Sequence, residues 1–421
     1  FSDVTVEITL PFLSSLCRLR ACGLTPSCCK KLRSAIITNR SLIILDLSEN
    51  KLQDSGVKRL CKGLRHPGCV LQELRLNHCI LTSSTCKQLR SVIITNRSLI
   101  TLDLSRNILQ DSGIKHLCEG LRLPDCVLLE RCGLTPSCCE DLYSVIITNR
   151  SLIKLDLTHN NLEVSGMKRL CEGLRHPDCV LKELGLESCD LISSNYDDLR
   201  SFIITNRYLI TLDLSETELQ DSGVKRLCEG LRHPGCVLRE LGLESCGLTP
   251  SCCEDLYTVI ITNRSLIKLN LTDNYLQDSG VKPLCEGLRL PDCKLQELCG
   301  LTASCCEDLL SVITNRSLIT LDLSENELDS GVKRLCKGLS HPDCVLQNLG
   351  LRACDVTSSC CKHLCSAFIT NRSLIVLDLS WNYLQDSGVK HLCEGLMHPG
   401  CVLQELVDSG SRQRQMRAAD F

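Results

Sequence analysis

The sequence has no excess of charge of either sign: 47 Lys and Arg stand against 50 Asp and Glu, a net of -3. That balance, with no basic patch, argues against nucleic acid as a partner. No apolar run approaches the ~18 residues that a membrane helix needs, so no membrane span is expected. A secretory leader is not expected either, because Glu7 and Pro11 interrupt the first segment and no basic region precedes it. The chain opens on Phe1, which suggests a fragment of a longer protein. The phosphate-cradling word GxxxxGK(S/T) is missing, so the chain carries no P-loop of its own and no cofactor is expected.

What the sequence does have is a period. The word "TNRSLITLDLS" at Thr95 recurs around Asn39, Asn96, Asn149, Asn206, Asn263, Asn315 and Asn371, at intervals of 57, 53, 57, 57, 52 and 56 residues. Regular spacing of this kind marks a repeat protein. Each unit holds two leucine ladders, first Leu42, Leu45, Leu47, Asn50, Leu52 and then Leu71, Leu74, Leu76, Cys79, Leu81. Both spell the leucine-rich-repeat signature.

Leu-x-Leu alternation predicts a short strand with one buried face, and the segments between ladders carry a helical period. Val57, Leu60, Cys61 and Leu64 follow an Asp54-Ser55 capping signal, while Thr25 and Pro26 introduce Cys29, Leu32 and Ile36. The expected fold is an α/β solenoid, a horseshoe with a parallel β-sheet on the concave face and α-helices on the convex face.

Six of the seven Asn begin an Asn-Arg-Ser sequon, which raises an extracellular glycoprotein as a reading. Each Asn, however, stands where a helix stops and the next strand starts, a place suited to a left-handed residue, for which Asn is second choice after Gly. Capping explains the Asn, and Asn206 keeps it while losing the Ser.

Cysteine is abundant at 34 residues, of which all but Cys17 and Cys365 fall at fixed places in the repeat. Equivalent cysteines recur on every second strand, roughly 9–10 Å apart and beyond the ~7 Å reach of a disulfide. Small buried thiols, reduced and cytosolic, are the expectation. The turn word "HPDC" (His176, Asp178, Cys179; His341, Asp343, Cys344) has the residue types of a cysteine protease but recurs as punctuation. "CCKHLC" (Cys360, Cys361, His363, Cys365) lies within one helix and lacks the two-part spacing of a structural zinc site. Neither a catalytic nor a metal site is expected.

The words "LDLSENKLQDSGVKRLCKGLRHPGCVLQEL" and "CGLTPSCCEDL" resemble the repeat region of the NACHT, LRR and pyrin-domain (NLRP) family of cytosolic innate immune sensors. They are also similar to the ribonuclease-inhibitor type of leucine-rich repeat. The resemblance covers Leu16 to Leu406, dividing the chain into a non-repeat segment 1–15, a domain 16–406 of about fourteen alternating 28- and 29-residue repeats, and a polar, disordered tail 407–421. It implies a non-enzymatic, cytoplasmic protein-binding module, the ligand-sensing or autoinhibitory part of a sensor in inflammasome-type immunity. Neither a pyrin nor a NACHT domain is visible, so an intramolecular contact with a NACHT domain is one implied partner. A ribonuclease-inhibitor-like protein that blocks a ribonuclease is the alternative, weakened by a supply of only one Trp and six Tyr.

Comparing units places the contact face. The slot after Leu-x-Leu-x reads Glu49, Arg106, His159, Glu216, Asp273, Glu325 and Trp381, and two residues on stand Lys51, Ile108, Asn161, Glu218, Tyr275, Glu327 and Tyr383. Drift at a solvent-exposed edge is the plain reading; the sharper one makes Tyr275, Trp381 and Tyr383 anchors for a protein partner, since aromatics dominate binding hot spots. A near-constant row of Asp46, Asp103, Asp156, Asp213, Asn270, Asp322 and Asp378, with Glu73, Glu183 and Glu240, predicts an acidic concavity and hence a basic partner. Two units, after Cys126 and after Cys293, are four residues short, and the loss is expected to fall in the strand.

Overall fold

The computed structural model describes residues 15–119, 124–191, 195–301, 310, 312–314, 317–326, 328 and 331–407. Segment 1–15 except its last residue, and tail 407–421 except its first, lie outside the described residues, as does Glu327. The chain divides into two compact units, Phe1–Asp198 and Leu199–Phe421.

Seven three-residue strands run through the first unit: β1 (Leu16–Arg18), β2 (Ile44–Asp46), β3 (Glu73–Arg75), β4 (Thr101–Asp103), β5 (Cys126–Leu128), β6 (Lys154–Asp156) and β7 (Glu183–Gly185). Each pairs in parallel with the next in chain order. The second unit repeats the pattern with β8 (Thr211–Asp213), β9 (Glu240–Gly242), β10 (Lys268–Asn270), β11 (Glu297–Cys299), β12 (Thr320–Asp322), β13 (Asn348–Gly350), β14 (Val376–Asp378) and β15 (Glu405–Val407). Both units are leucine-rich-repeat solenoids.

The ladder leucines explain this layering. Leu45, Leu47, Leu52, Leu74 and Leu76 are at most 1% exposed, packed with Val57, Leu60 and Leu64 of the helix Gln53–Leu64. Burying such a side chain contributes roughly 1.5–3 kcal/mol. Ile44 and Asp46, on either side of Leu45, take the other face of the sheet.

Capping works differently from the expectation. Asn39, Asn96, Asn149, Asn263 and Asn371 end their helices in extended conformation, as at Asn96 with φ -87° and ψ 109°, and neither they nor Asn206 is left-handed. The side chain does the work instead. Asn96 Oδ1 accepts from the N–H groups of Ser98 (2.9 Å) and Leu99 (3.2 Å), and its Nδ2 donates to the Leu64 carbonyl at the end of a neighbouring helix (2.8 Å). Asn263 and Asn371 do the same to Leu231 and Leu339, both at 2.6 Å. At Asn96, Asn263 and Asn371 the nitrogen that would carry a glycan is thus spent inside the stack.

Asp54 also acts across repeats. The helix it opens has no side-chain cap, and the Asp54 carboxylate accepts from Thr82 N–H (2.9 Å), the Thr82 hydroxyl (2.6 Å) and the Thr85 hydroxyl, at the start of the next helix, Ser83–Thr95. Asp111 and Asp221 serve Thr135 and Thr249 alike, each at 2.8 Å to the N–H. Partial burial raises the Asp54 pKa, but these donors outweigh it and hold the carboxyl below its usual range. A depressed pKa stabilises above the unfolded value and loses that contribution as pH falls through the folded one. Asp54→Ala is therefore expected to cost about 1–2 kcal/mol near neutral pH. The loss should shrink towards zero as acid protonates the carboxylate; urea midpoints at a series of pH values read this directly.

The two short units keep their strands, which corrects the expectation. At the first, β5 holds register with β4 and β6, and Val127, Leu129, Cys132 and Leu134 are at most 1% exposed. The missing length comes from the return: helix Gln110–Cys118 has 9 residues where Gln53–Leu64 has 12. At the second, β11 is intact, but the turn after it is gone. Gly300 (φ 84°) presses on the neighbouring chain so closely that a Cβ would sit 2.2 Å from the Leu271 carbonyl carbon. Leu301 then takes over the ladder, its carbonyl accepting from Asn326 Nδ2 (2.9 Å) as Leu243 does from Asn274 (2.8 Å). Cys126 and Cys299 lie in these two strands.

All cysteines among the described residues are free thiols, most of them buried. Burial pushes Cys61 and Cys86 up to about 12. Cys28, half-exposed, is held low by its contact with Cys29. Iodoacetamide near neutral pH is expected to modify Cys28 and the exposed Cys22 and Cys393 in the native protein, and Cys61 and Cys86 only after unfolding. Peptide mass spectrometry checks the order; native labelling of Cys86 would contradict it.

Candidate partner-binding edge

The variable slot is a backbone feature before it is a surface. Glu49, Arg106, His159, Glu216, Asp273, Glu325 and Trp381 all have φ between 53° and 62°, the left-handed region that favours glycine. A non-glycine residue held there costs on the order of 1 kcal/mol, and the conformation recurs in the intervening ladders at Ala21, His78, Arg131, Ser188, Ser245 and Ala353, so it belongs to the repeat turn. The N–H groups of Glu49, Arg106, His159, Glu216 and Glu325 continue the ladder, for example Glu49 to the Asn77 carbonyl (2.8 Å) and Glu325 to Arg352 (2.7 Å). The side chains therefore fan out in a row just past the strands.

In the first unit that row is engaged with itself. Glu49 pairs with Arg20 (2.5 Å), Arg106 with Glu130 (3.0 Å), and His159 lies 3.7 Å from Glu187 and 3.1 Å from Arg131. Glu325 pairs likewise with Arg352 in the second unit. Such exposed pairs contribute little to stability but occupy the groups a partner would use.

Around β8–β10 a cavity opens beside the row. Thr217, Glu218, Gln220, Ser245, Cys246, Gly247, Asp273 and Tyr275 line a cavity of about 470 Å³. Tyr275 is 70% exposed there. Glu216, Glu218, Glu240 and Asp273 are exposed, while Lys268 is taken by Glu297 (2.6 Å). The structure thus joins Asp273 and Tyr275 with Glu218. It does not bring in Trp381 and Tyr383, half-buried past β14, which four strand spacings put roughly 19 Å away. Gln220 and Ser245 were not singled out by comparing units, since Gln220 recurs as Gln53, Gln110, Gln277 and Gln385 and Ser245 lies in an intervening ladder.

The aspartate row is not a free acidic face. Asp46, Asp103, Asp156, Asp213, Asp322 and Asp378 each accept from the N–H two residues on, at 2.8–3.0 Å, and Asp46 and Asp103 are buried. Burial raises the Asp103 pKa. Glu73 is tied to Arg75 and Glu183 to Lys154 (2.8 Å), so the exposed acidity lies with the second unit's Glu218, Glu240 and Asp273.

The tempting chemical words do not converge. The His176 ring accepts from Asp178 N–H (3.3 Å) within its turn, and Cys179 is buried. His363 is exposed while Cys360 and Cys361 are buried in the same helix.

Comparison with known proteins fits this geometry. A Leucine Rich repeat model matches residues 38–61, 95–118, 148–171, 205–228, 262–285 and 370–393. Ribonuclease inhibitor from Mus musculus is 41% identical over 418 residues, 96% of this chain and 92% of the relative, and the Sus scrofa protein gives the same figures. The chain belongs to the ribonuclease-inhibitor-like leucine-rich-repeat family. NACHT, LRR and PYD domains-containing protein 14 from Homo sapiens is 43% identical over 389 residues, 90% of this chain but 36% of the relative. The chain thus spans about a third of that relative, and the module it shares with both groups is a protein-binding one. Among the described residues, no helix is long and apolar enough to cross a membrane.

Proposed function

We propose that this chain is the ligand-sensing or autoinhibitory repeat region of a cytosolic NLRP-like sensor, and that it takes a basic protein partner on the β8–β10 edge of the second unit. One observation carries the site: an exposed tyrosine and two carboxylates, Tyr275, Glu218 and Asp273, share a single cavity. Carboxylates beside an aromatic face suit a lysine or arginine side chain, which gains charge pairing and a cation–π contact together. Free thiols throughout the described residues and sequon nitrogens bonded inside the stack support a cytosolic setting. Glu49, Arg106, His159 and Glu325 act on this reading as rim residues, and Trp381 with Tyr383 as a second anchor.

Coverage of 92% of the mouse and pig relatives supports a second reading, a protein that inhibits a ribonuclease. Titration with a pancreatic-type ribonuclease separates the two. Nanomolar inhibition selects the inhibitor; no inhibition, with a P-loop-bearing NACHT segment upstream in the full transcript, selects the sensor. With either partner, Asp273→Asn plus Tyr275→Ala is expected to weaken binding at least tenfold, and association should slow as salt rises. Unchanged affinity in this variant and in Trp381→Ala plus Tyr383→Ala would place the contact surface elsewhere.

A further inference from the structure

At the opposite, N-terminal edge of the same sheet lies a cleft of about 310 Å³ lined by Val237, Arg239, Arg264, Ser265, Ile267, Lys294 and Gln296. Three cations surround it, supplied by the segments that enter β9, β10 and β11. Arg239 and Lys294 form no ion pair among the described residues. Arg264 touches Asp292, through the backbone carbonyl (3.1 Å) and a loose carboxylate contact (3.6 Å), both partners being well over half exposed. That leaves most of its five N–H donors available.

Two of these cations are departures from the repeat. The residue at Lys294 is otherwise valine, at Val70, Val180, Val237, Val345 and Val402. The residue at Arg239 is glutamine at Gln72, Gln296, Gln347 and Gln404, with Lys182 and, in the short unit, Asp125 as the other exceptions. Independent drift would scatter such changes along the chain. Here both fall on one cleft, flanking an arginine that every unit supplies.

The backbone fixes their spacing. Arg239 O accepts from the N–H groups of Ile267 (2.7 Å) and Lys268 (2.9 Å), and Ile267 O from those of Gln296 (2.8 Å) and Glu297 (3.0 Å), so the three entering segments lie side by side. Two planar guanidinium forks and one ammonium line the cleft together with Val237 and Ile267, and the Gln296 amide is a further donor. Guanidinium pairs match the geometry of tetrahedral oxyanions, and a lysine adds a point charge.

We propose that this cleft is a binding site for a phosphate monoester dianion, held by Arg239, Arg264 and Lys294. It is separate from the acidic edge in position and in sign of charge, and stands or falls independently of the partner assigned there.

The test titrates the full chain with inorganic phosphate at low ionic strength, by calorimetry, beside the variant Arg239→Gln plus Lys294→Val. Both substitutions install residues that other repeats carry at the same places, so the fold is expected to hold, and an unchanged thermal transition verifies it. Saturable binding by the wild type that weakens at least tenfold in the variant supports the site. No saturable binding by the wild type, or equal binding by the variant, overturns it. Phosphoserine then distinguishes the source: tighter binding than free phosphate identifies a phosphorylated side chain, and weaker binding the free ion.

Discussion

Asn107→Ala is expected to destabilise the first unit by about 3–5 kcal/mol, among the largest single-residue effects available in a stacked array. The reason is the number of backbone groups one amide serves. Asn107 Nδ2 donates to the carbonyls of Leu76 (2.9 Å), Leu104 (2.8 Å) and Ser105 (3.1 Å), and its Oδ1 accepts from the N–H groups of Cys79 and Leu81, both at 3.0 Å. The residue is 3% exposed, so water cannot replace these bonds. Each buried group left unpaired costs roughly 1–3 kcal/mol, and the five losses overlap rather than add. Asn107→Thr should cost about half as much, since Thr217 fills the same slot in the second unit by donating to the Leu214 carbonyl (2.6 Å). Denaturant unfolding gives the magnitude. Amide exchange gives the place: β3 and β4 should open first, because damage to a solenoid stays near the damaged repeat. Equal costs for the two substitutions would mean that packing volume, and not hydrogen bonding, sets the requirement.

The same amide shows how far the fold was legible. Ladder leucines, the strand–helix alternation and the Asn slot follow from period alone, because each repeat must bury one stripe and can do so only against a neighbour. What period cannot show is which neighbour a polar group serves. Asp54 reads as a local cap and instead caps the helix of the next repeat, 28 residues on. Asn96 reads as a left-handed stop and instead bonds Leu64, 32 residues back. The short units were misplaced for a related reason: register is set by strands paired on both sides, so a deletion is pushed into the return at Gln110–Cys118 or into the turn at Gly300. The candidate row was found because its residues vary, yet its left-handed backbone was hidden, since Glu49, Arg106 and Trp381 are not residues that announce that conformation. Glu218 joins Asp273 and Tyr275 only once strands stack. Arg239 and Lys294 were visible as departures from the repeat word, but the cleft between them exists only in three dimensions.

Replacing Pro283 by Arg is the change expected to stabilise the protein most. Pro283 sits in the middle of helix Gln277–Leu288, whose Val281, Leu284, Cys285 and Leu288 are buried like their equivalents in Gln53–Leu64 and Gln220–Leu231. A proline there offers no N–H to the Ser279 carbonyl and crowds it, which costs about 3 kcal/mol in a helix interior. Equivalent positions hold Arg59, Arg169, Arg226 and Arg334, or His116 and His391. Arg169 reaches Glu140 on the neighbouring helix (2.6 Å), and Glu254 occupies the corresponding place beside Pro283. Pro283→Arg should therefore recover the helix bond and gain a surface pair, the latter contributing under about 1 kcal/mol. The turn at Gly300 is a separate weakness, because residues that other units use to close the ladder are missing there. In the wild type, amides of 281–301 are expected to exchange faster than those of 224–248, the intact equivalent, and limited proteolysis to cut there first. In the variant, protection should rise across 281–288 and stay low from 297 to 301. A uniform rise over both stretches would mean that the proline alone weakens this part of the second unit, and equal protection in the wild-type segments would mean that neither feature does.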